Sequence, residues 1–189
     1  MKYYKEDVIE DLDQKIVKNK LFDEWFNVVK DILKNDEFQK RKLFFHHKKM
    51  TVWEHSILVS FKSFCMAKKV NADQRICAIA GLLHDFYPWT WIYNPDLEEL
   101  DNGIYLDYLK TKKKFFKKHG FTHAKAASLN YVKYFPELEN IKVTNSIERH
   151  MFPLNIIPPK YKEGVIITAV DKINSISEFS IFDLIKKKK

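Results

Sequence analysis

The chain has 189 residues, a formal net charge of +8, and only 4 Gly and 6 Pro. This length suits one ordinary domain with a real hydrophobic core, and so few Gly and Pro leave little material for the turns of an all-β fold. We therefore expect an all-α fold. Only three of the 33 basic residues are arginines, so the charge is not of the Arg-rich kind typical of bidentate phosphate or base recognition.

The cysteines and the N-terminus favour a reduced, cytoplasmic protein. Cys65 and Cys77 lie in apolar helical patterns without C-x-x-C spacing, which is typical of buried thiols; a disulfide between them is the alternative. The first fifteen residues are charged from the start and contain no apolar signal core. The longest apolar stretch is far shorter than a membrane span, so we expect no membrane partner.

Two helical patterns, residues 6–19 and 21–34, open the chain and carry no recognisable chemistry. We assign them to an N-terminal helical extension, residues 1–45, that covers one side of the core or carries a partner contact. His46 and His47 follow in a basic connection, FFHHKKM, and we expect them to be exposed loop residues, as surface histidines are common. The alternative is that one of them lies at the rim of a site and touches substrate.

A capping box, Thr51 to Glu54, predicts the start of the next helix. His55 lies near that start, at the edge of the apolar stripe. The turn and cap at Asn71 to Asp73 then precede a helix predicted for residues 74–86.

The helix at 74–86 is apolar or Gly from Ile76 to Leu83 and ends in the pair His84 and Asp85. Such a run indicates an element buried on most of its circumference. Burying an imidazole and a carboxylate at its end is costly unless something ligates or pairs them. The pair is therefore the first indication of a site.

Aromatic and basic residues follow this pair. Trp89 lies in a predicted loop, where it either stacks on a base or sugar of a substrate or covers the core. The lysine-rich stretch from Ile104 to Lys118 predicts a helix with a solvated face, with a phosphate-steering surface as the alternative. Gly120 is expected to end that helix, and Thr122 to cap the next, which carries His123.

The last third of the chain repeats the pattern of an apolar helix that leads to a polar residue. Pro136 fits the first turn of a helix that runs toward His150. A final helix, from about Lys160 to Phe182, carries a run of apolar residues to Asp171. A buried carboxylate there needs a partner, and a metal ion is the economical one.

The order of these residues resembles the HD-domain metal-dependent phosphohydrolases. Within that family the chain resembles the six-ligand, two-metal branch, which includes bacterial diadenosine tetraphosphate hydrolases. The resemblance implies six metal ligands: His55, His84, Asp85, His123, His150 and Asp171. It also implies a helical HD-like core at residues 50–182, within a single domain spanning 1–189 that ends in a basic tail, 183–189.

The same resemblance implies two divalent metal ions, with Fe or Mn favoured over Zn, Mg, Ni or Co. The first would take His55, His84 and Asp171 with Asp85, and the second His123 and His150, with Asp85 bridging both. Imidazole and carboxylate are the ligand types that suit these metals.

The implied reaction is hydrolysis of a phosphate ester or anhydride by a hydroxide that bridges the two metals, with a nucleotide as the favoured substrate. Asp85, as bridging ligand, and His119, at the leaving group, are the predicted catalytic residues. Lys172, Trp89 and Lys118 are the predicted substrate-binding residues. Many family members follow HD with a small residue, Gly and a phosphate-contacting Lys, whereas this chain has Phe86 to Trp89 there.

Two other functions stay open. One is a di-iron oxygenase on the same scaffold. The other is a non-catalytic, basic nucleic-acid-binding module, which the charge of +8 suggests but no nucleic-acid motif supports. We expect the partner to be a small anionic, phosphate-containing substrate, with no specific nucleic acid; homo-oligomerisation is left open.

Overall fold

The computed structural model describes residues 5–44, 46, 50–87, 112–114 and 118–186. Its long regular elements are all helices, which confirms the predicted all-α fold. They are α1 (Lys5–Glu10), α2 (Gln14–Val17), α3 (Phe22–Leu33), α4 (Asp36–Gln39), α5 (Val52–Lys69), α6 (Gln74–Leu83), α7 (His119–Tyr134), α8 (Ile141–Arg149) and α9 (Lys162–Lys186). Short 3₁₀ turns lie at Lys40–Leu43 and Pro136–Leu138.

Helix α6 lies at the centre of the fold, because its residues from Ile76 to Leu83 are all buried. It packs against α3, α5, α7, α8 and α9. Its closest approach is to α5, where a Cβ added to Gly81 would lie 2.9 Å from Ser60 Cα. Glycine is therefore what allows the two backbones to meet at this point.

The predicted starts of α5 and α6 are confirmed. Thr51 Oγ1 accepts a hydrogen bond from the Glu54 amide at 3.1 Å, and Glu54 Oε2 accepts one from the Thr51 amide at 2.7 Å. The side chain of Asp73 accepts a hydrogen bond from the Ile76 amide at 3.0 Å. These caps fix where each helix begins, and hence where the residues carried by them lie.

The N-terminal extension differs from the prediction in its first half. The single helix expected for residues 6–19 is wrong, because α1 ends at Glu10 and α2 begins at Gln14. The side chain of Asp13 accepts a hydrogen bond from the Lys15 amide at 2.8 Å and so starts a new helix. Helix α3 lies where it was predicted, and the Trp25 indole donates to Ser60 Oγ at 2.9 Å, which attaches the extension to the core.

The predicted boundary around Gly120 and Thr122 is wrong. Helix α7 begins at His119, so Gly120 lies inside its first turn and Thr122 inside the helix. The Thr122 hydroxyl donates back to the Lys118 carbonyl oxygen at 3.3 Å instead of capping the helix. The helix predicted for 104–118 lies largely outside the described residues.

The C-terminal helices also differ in extent from the prediction. Residues from Pro136 form a 3₁₀ turn, and α8 starts separately after Asn140, whose side chain accepts a hydrogen bond from the Lys142 amide at 2.9 Å. Helix α9 continues to Lys186, past the predicted end at Phe182.

Cys65 and Cys77 are free thiols. Burial raises the pKa of Cys77 to about 12, so its thiol is protonated at neutral pH. Among the described helices none is long and apolar enough to cross a membrane.

Candidate metal centre

Five helices bring the six predicted ligands to one place. His55 lies in the first turns of α5, His84 and Asp85 directly follow α6, and the others lie on α7, at the end of α8 and within α9. All are buried: His55, His84, Asp85, His123, His150 and Asp171. Burial on this scale requires that their polar atoms satisfy one another or a bound group.

The two carboxylate oxygens of Asp85 face different histidines. Its Oδ2 lies 3.4 Å from His84 Nε2 and 3.3 Å from His46 Nε2. Its Oδ1 lies 3.5 Å from His123 Nε2 and 3.7 Å from His150 Nε2. Asp85 therefore stands between two sets of imidazoles.

Asp171 belongs to the His84 side of the cluster. Its Oδ1 lies 3.0 Å from His55 Nε2 and 3.7 Å from His84 Nε2. Burial opposes ionisation of Asp171, but the imidazoles of His55 and His84 outweigh it and hold the pKa of this carboxyl well below its usual range. Asp171 is thus a carboxylate at neutral pH.

Three imidazoles are oriented by the carbonyl oxygens of their own helices. Nδ1 lies 2.8 Å from the Gly81 oxygen in His84, 2.8 Å from the His119 oxygen in His123, and 2.7 Å from the Ile147 oxygen in His150. A carbonyl oxygen can only accept, so Nδ1 carries the proton in each ring. In the neutral ring the lone pair is then on Nε2, which faces the site.

The His123 and His150 pair shows why a cation fits. Their Nε2 atoms lie only 3.0 Å apart. Burial lowers the pKa of both rings, that of His150 to about 3, so both are neutral. Two lone pairs thus face each other beside Asp85 Oδ1, a buried oxygen that accepts no hydrogen bond among the described residues.

Asp85 is also ionised, although it is buried. Burial alone would raise its pKa, but the imidazoles of His84 and His46, with His123 beyond, hold the pKa well below its usual range. Three acceptor atoms without a shared proton repel one another, and a divalent metal ion converts that repulsion into attraction.

The donor set fits divalent metal ions by type and by spacing. Three overlapping groups have ligand atoms within 4.8 Å of one another: His46, His55 and Asp85; His55, His84 and Asp171; His84, Asp85 and His150. Imidazole nitrogen and carboxylate oxygen suit Fe, Mn and Zn. The donated Nδ1–H bonds are the arrangement that metal-binding histidines usually have.

His46 lies inside this cluster, so the expectation that it is exposed is wrong. It is 8% exposed, and its ring stacks on that of His55 with centroids 3.7 Å apart and planes 12° apart. The backbone explains its position, because the His46 amide donates to the Met50 oxygen at 2.9 Å and the Val52 amide donates to the Phe44 oxygen at 2.7 Å. These bonds hold the backbone of Phe44 and His46 next to the start of α5; His47 lies outside the described residues.

Of the other predicted site residues, His119 and Lys172 contact residues of the cluster. The His119 ring stacks on His123 with centroids 4.7 Å apart, and it meets the edge of Tyr87 at 4.7 Å. Lys172 Nζ donates to the His150 carbonyl oxygen at 3.1 Å. Lys118 is exposed at the start of α7, and Trp89 lies outside the described residues.

An all-α fold that gathers buried histidines and aspartates from five helices into one candidate metal centre is that of an HD-type protein. The chain belongs to the HD domain family, whose model matches residues 52–175. Members of this family are in general metal-dependent hydrolases that bind divalent metals. The comparison with curated proteins gave no match, and neither did the comparison with solved structures.

Proposed function

We propose that this protein is a two-metal phosphohydrolase that cleaves a phosphate ester or anhydride, with a nucleotide as the favoured substrate. The observation that carries the proposal is the arrangement around Asp85. The two oxygens of its ionised carboxylate face separate sets of imidazoles, and three of those imidazoles direct Nε2 at the site. Such a set matches two cations that share one carboxylate.

Each ion would be held by side chains from different helices. The first would take His55, His84 and Asp171 together with Asp85 Oδ2, and the second would take His123 and His150 together with Asp85 Oδ1. Two divalent ions, Fe or Mn by preference over Zn, Mg, Ni or Co, supply Lewis acidity at a phosphoryl group and a water acidic enough to react near neutral pH. The donor set would suit a reaction that needs no protein nucleophile.

His119 is our candidate for an interaction with the leaving group. Burial lowers its pKa to about 3, so the ring is neutral and keeps one N–H for donation. Its stacking on His123 and its edge contact with Tyr87 restrict how the ring can turn. We propose that His119 donates a hydrogen bond to the leaving oxygen of the substrate.

The proposed phosphate contacts are lysines from other parts of the chain, because no lysine directly follows the HD pair. Phe86 and Tyr87, which follow Asp85, carry no positive charge, and both are buried at 0% and 1% exposure. Lys172 follows Asp171 directly, is half-buried and reaches the backbone at His150. Lys172, with Lys118 at the start of α7 and Trp89 as a stacking surface, forms our proposed substrate contact set.

The experiment is a metal analysis joined to a substrate screen. The protein is loaded with Mn²⁺ or Fe²⁺ and offered nucleotides, dinucleoside polyphosphates and simple phosphomonoesters, with Asp85→Ala as the matched inactive variant. We expect metal-dependent release of phosphate or nucleotide by the wild type alone. A metal-loaded protein that hydrolyses none of these classes would contradict the proposal, and a redox-dependent visible spectrum of the iron form would point to oxygen chemistry instead.

A further inference from the structure

His46 reaches the candidate metal centre from outside the part of the chain that matches the family. The match begins at residue 52, whereas His46 lies on the connection between the 3₁₀ turn Lys40–Leu43 and α5. Nevertheless its Nε2 lies 3.3 Å from Asp85 Oδ2, about as close as His84 Nε2 at 3.4 Å. The connection that precedes α5 therefore contributes an imidazole to the same side of Asp85 as the HD histidine.

A buried arginine fixes the segment that carries His46. The Arg41 side chain is fully buried, and its guanidinium donates to the carbonyl oxygen of Tyr87, two residues after Asp85. It also pairs with Glu37 Oε1 at 2.6 Å and lies 4.8 Å from the ring centroids of Phe44 and Phe86. Burial lowers the pKa of Arg41 only to about 10, so it stays cationic at neutral pH.

This contact ties the segment before His46 to the turn after the HD pair. On the other side of His46, backbone hydrogen bonds from His46 to Met50 and from Val52 to Phe44 tie the segment to the start of α5. The imidazole is thus held between two parts of the site, and its ring lies flat on His55. A side chain placed in this way is part of the site rather than a surface residue that happens to lie near it.

We propose that His46 is a further ligand of the first metal ion, which His55 and Asp85 also bind. The ligand atoms of these three residues lie within 4.8 Å of one another, a spacing that one ion can satisfy. The proposal rests on the proposed two-metal function, and it adds an N-terminal ligand to the six predicted ones. If His46 only donated a hydrogen bond to Asp85, it would be a positioning residue, and the two roles respond differently to substitution.

The test measures Mn²⁺ binding by equilibrium dialysis of the full chain, with no reference to turnover. Wild type is compared with His46→Ala, with His46→Gln, which keeps an N–H donor for Asp85, and with His119→Ala. The last is the matched control, because His119 stacks on His123 much as His46 stacks on His55. Melting temperatures in excess chelator establish that each apo variant is folded.

We expect both His46 variants to lose more than about 100-fold in Mn²⁺ affinity at one of two sites. Substitution of a residue that only orients a ligand lowers metal affinity by roughly 10- to 100-fold. His119→Ala should bind two ions as the wild type does. If His46→Ala is unstable without metal, His46→Gln alone decides, because it retains most of the side-chain volume and polarity.

Three results would overturn the ligand role while leaving the metal centre standing. They are unchanged binding in His46→Ala, recovery of wild-type affinity in His46→Gln, and an equal loss in His119→Ala. A wild type that binds no Mn²⁺ and no Fe²⁺ would instead remove the metal centre, and the proposed function with it. The two failures are therefore distinguishable in one set of measurements.

Discussion

At the scale of single residues, proton positions decide what the cluster can bind. His84, His123 and His150 each donate a hydrogen bond from Nδ1–H to a carbonyl oxygen three or four residues earlier in their own helix. His123 and His150 are neutral already, whereas Asp85 and Asp171 raise the pKa of His84 against the opposing effect of burial. At a pH below this raised pKa, His84 of the apo protein therefore holds an extra proton, which a metal ion must displace.

The first prediction is that Mn²⁺ affinity depends on pH through His84. A ligand imidazole must be neutral, so affinity is full above the raised pKa of His84 and falls as pH drops through it. The decline should begin above 6.5, the ordinary value for histidine, and approach about tenfold per pH unit for one displaced proton. Titrations with Mn²⁺ from about pH 5.5 to 8.5 measure it; a decline that starts only below 6.5 would contradict the raised pKa.

The second prediction separates the bridging carboxylate from a ligand of one ion. Asp85→Ala should lose both ions and all turnover, because its two oxygens face separate sets of histidines. His123→Ala should lose only the second ion, since His123 contacts Oδ1 and not the Asp171 side of the cluster. Metal stoichiometry of the two purified variants is the measurement, and an Asp85→Ala protein that keeps one ion would show that Asp85 does not bridge.

The apolar helical patterns place the six residues within or at the edge of buried elements, and the resemblance to the HD-domain family is what identified them as ligands. The structure brings all six together, and the family match confirms the HD resemblance; the two-metal branch stays a prediction. His46 was not predicted, because a loop has no periodicity from which burial can be read. Its position depends on Arg41 and on backbone bonds between residues 44 and 52, none of which the local sequence specifies.

At the scale of elements, the close contact of α5 with α6 sets the position of the HD pair. Helix α6 is apolar along its length, and it can approach α5 at Ser60 because Gly81 has no side chain. The Gly81 carbonyl oxygen also accepts the His84 Nδ1 proton at 2.8 Å. One glycine thus links helix packing to the orientation of a predicted ligand.

The third prediction is that Gly81→Ala destabilises the fold. The added Cβ would lie 2.9 Å from Ser60 Cα and 3.2 Å from Ser60 N, both backbone atoms that cannot turn away. We expect a loss of about 1–3 kcal/mol in the free energy of unfolding, which exceeds the roughly 1 kcal/mol that alanine gains in helix propensity. Chemical denaturation measures it.

Gly120→Ala is the matched control for that change. Among the described residues the added Cβ would there meet only the Leu154 side chain, at 3.1 Å, and a flexible methyl group can move. We expect its unfolding free energy to stay close to that of the wild type. Equal stability of Gly81→Ala and Gly120→Ala would show that α5 can shift away from α6 at no cost.

Helix starts were predictable where a side chain caps the backbone, as at Thr51 and Asp73. The predictions failed where a polar side chain could either cap a helix or make another local hydrogen bond. Asp13 starts a new helix inside a pattern that looks continuous, and the Thr122 hydroxyl bonds back to Lys118 rather than capping α7. Both outcomes depend on local backbone angles, which a residue type favours but does not determine.

At the scale of the whole molecule, the site joins parts of the chain that are far apart in sequence. The residues around Asp85 come from α5, α7, α8 and α9 and from the connection that precedes α5. A metal ion that binds these residues binds the folded state only, so it stabilises that state by mass action. Stability of the whole chain should therefore report occupancy of the site.

The last prediction uses this link to test Asp171. Chelation should lower the melting temperature of metal-loaded wild type by roughly 10–20 °C, if each of the two ions is present at about 100 times its Kd and contributes about 2.7 kcal/mol. In Asp171→Asn the amide is a poor substitute for an anionic oxygen, so the first ion is lost and the chelator shift should fall to about half. The apo variant should remain folded, because Ile166, Ile167 and Val170 pack in the core independently of any ion.

Asp31→Asn is the matched control, since Asp31 is an exposed carboxylate on α3 that loses the same charge. It should keep the full chelator shift of the wild type. If Asp171 were only a buried carboxylate paired with His55, Asp171→Asn would keep its ions and lose about 1–3 kcal/mol from a damaged buried contact. It would then show a lower melting temperature but the same chelator shift as wild type, and that pair of results would remove Asp171 from the metal centre.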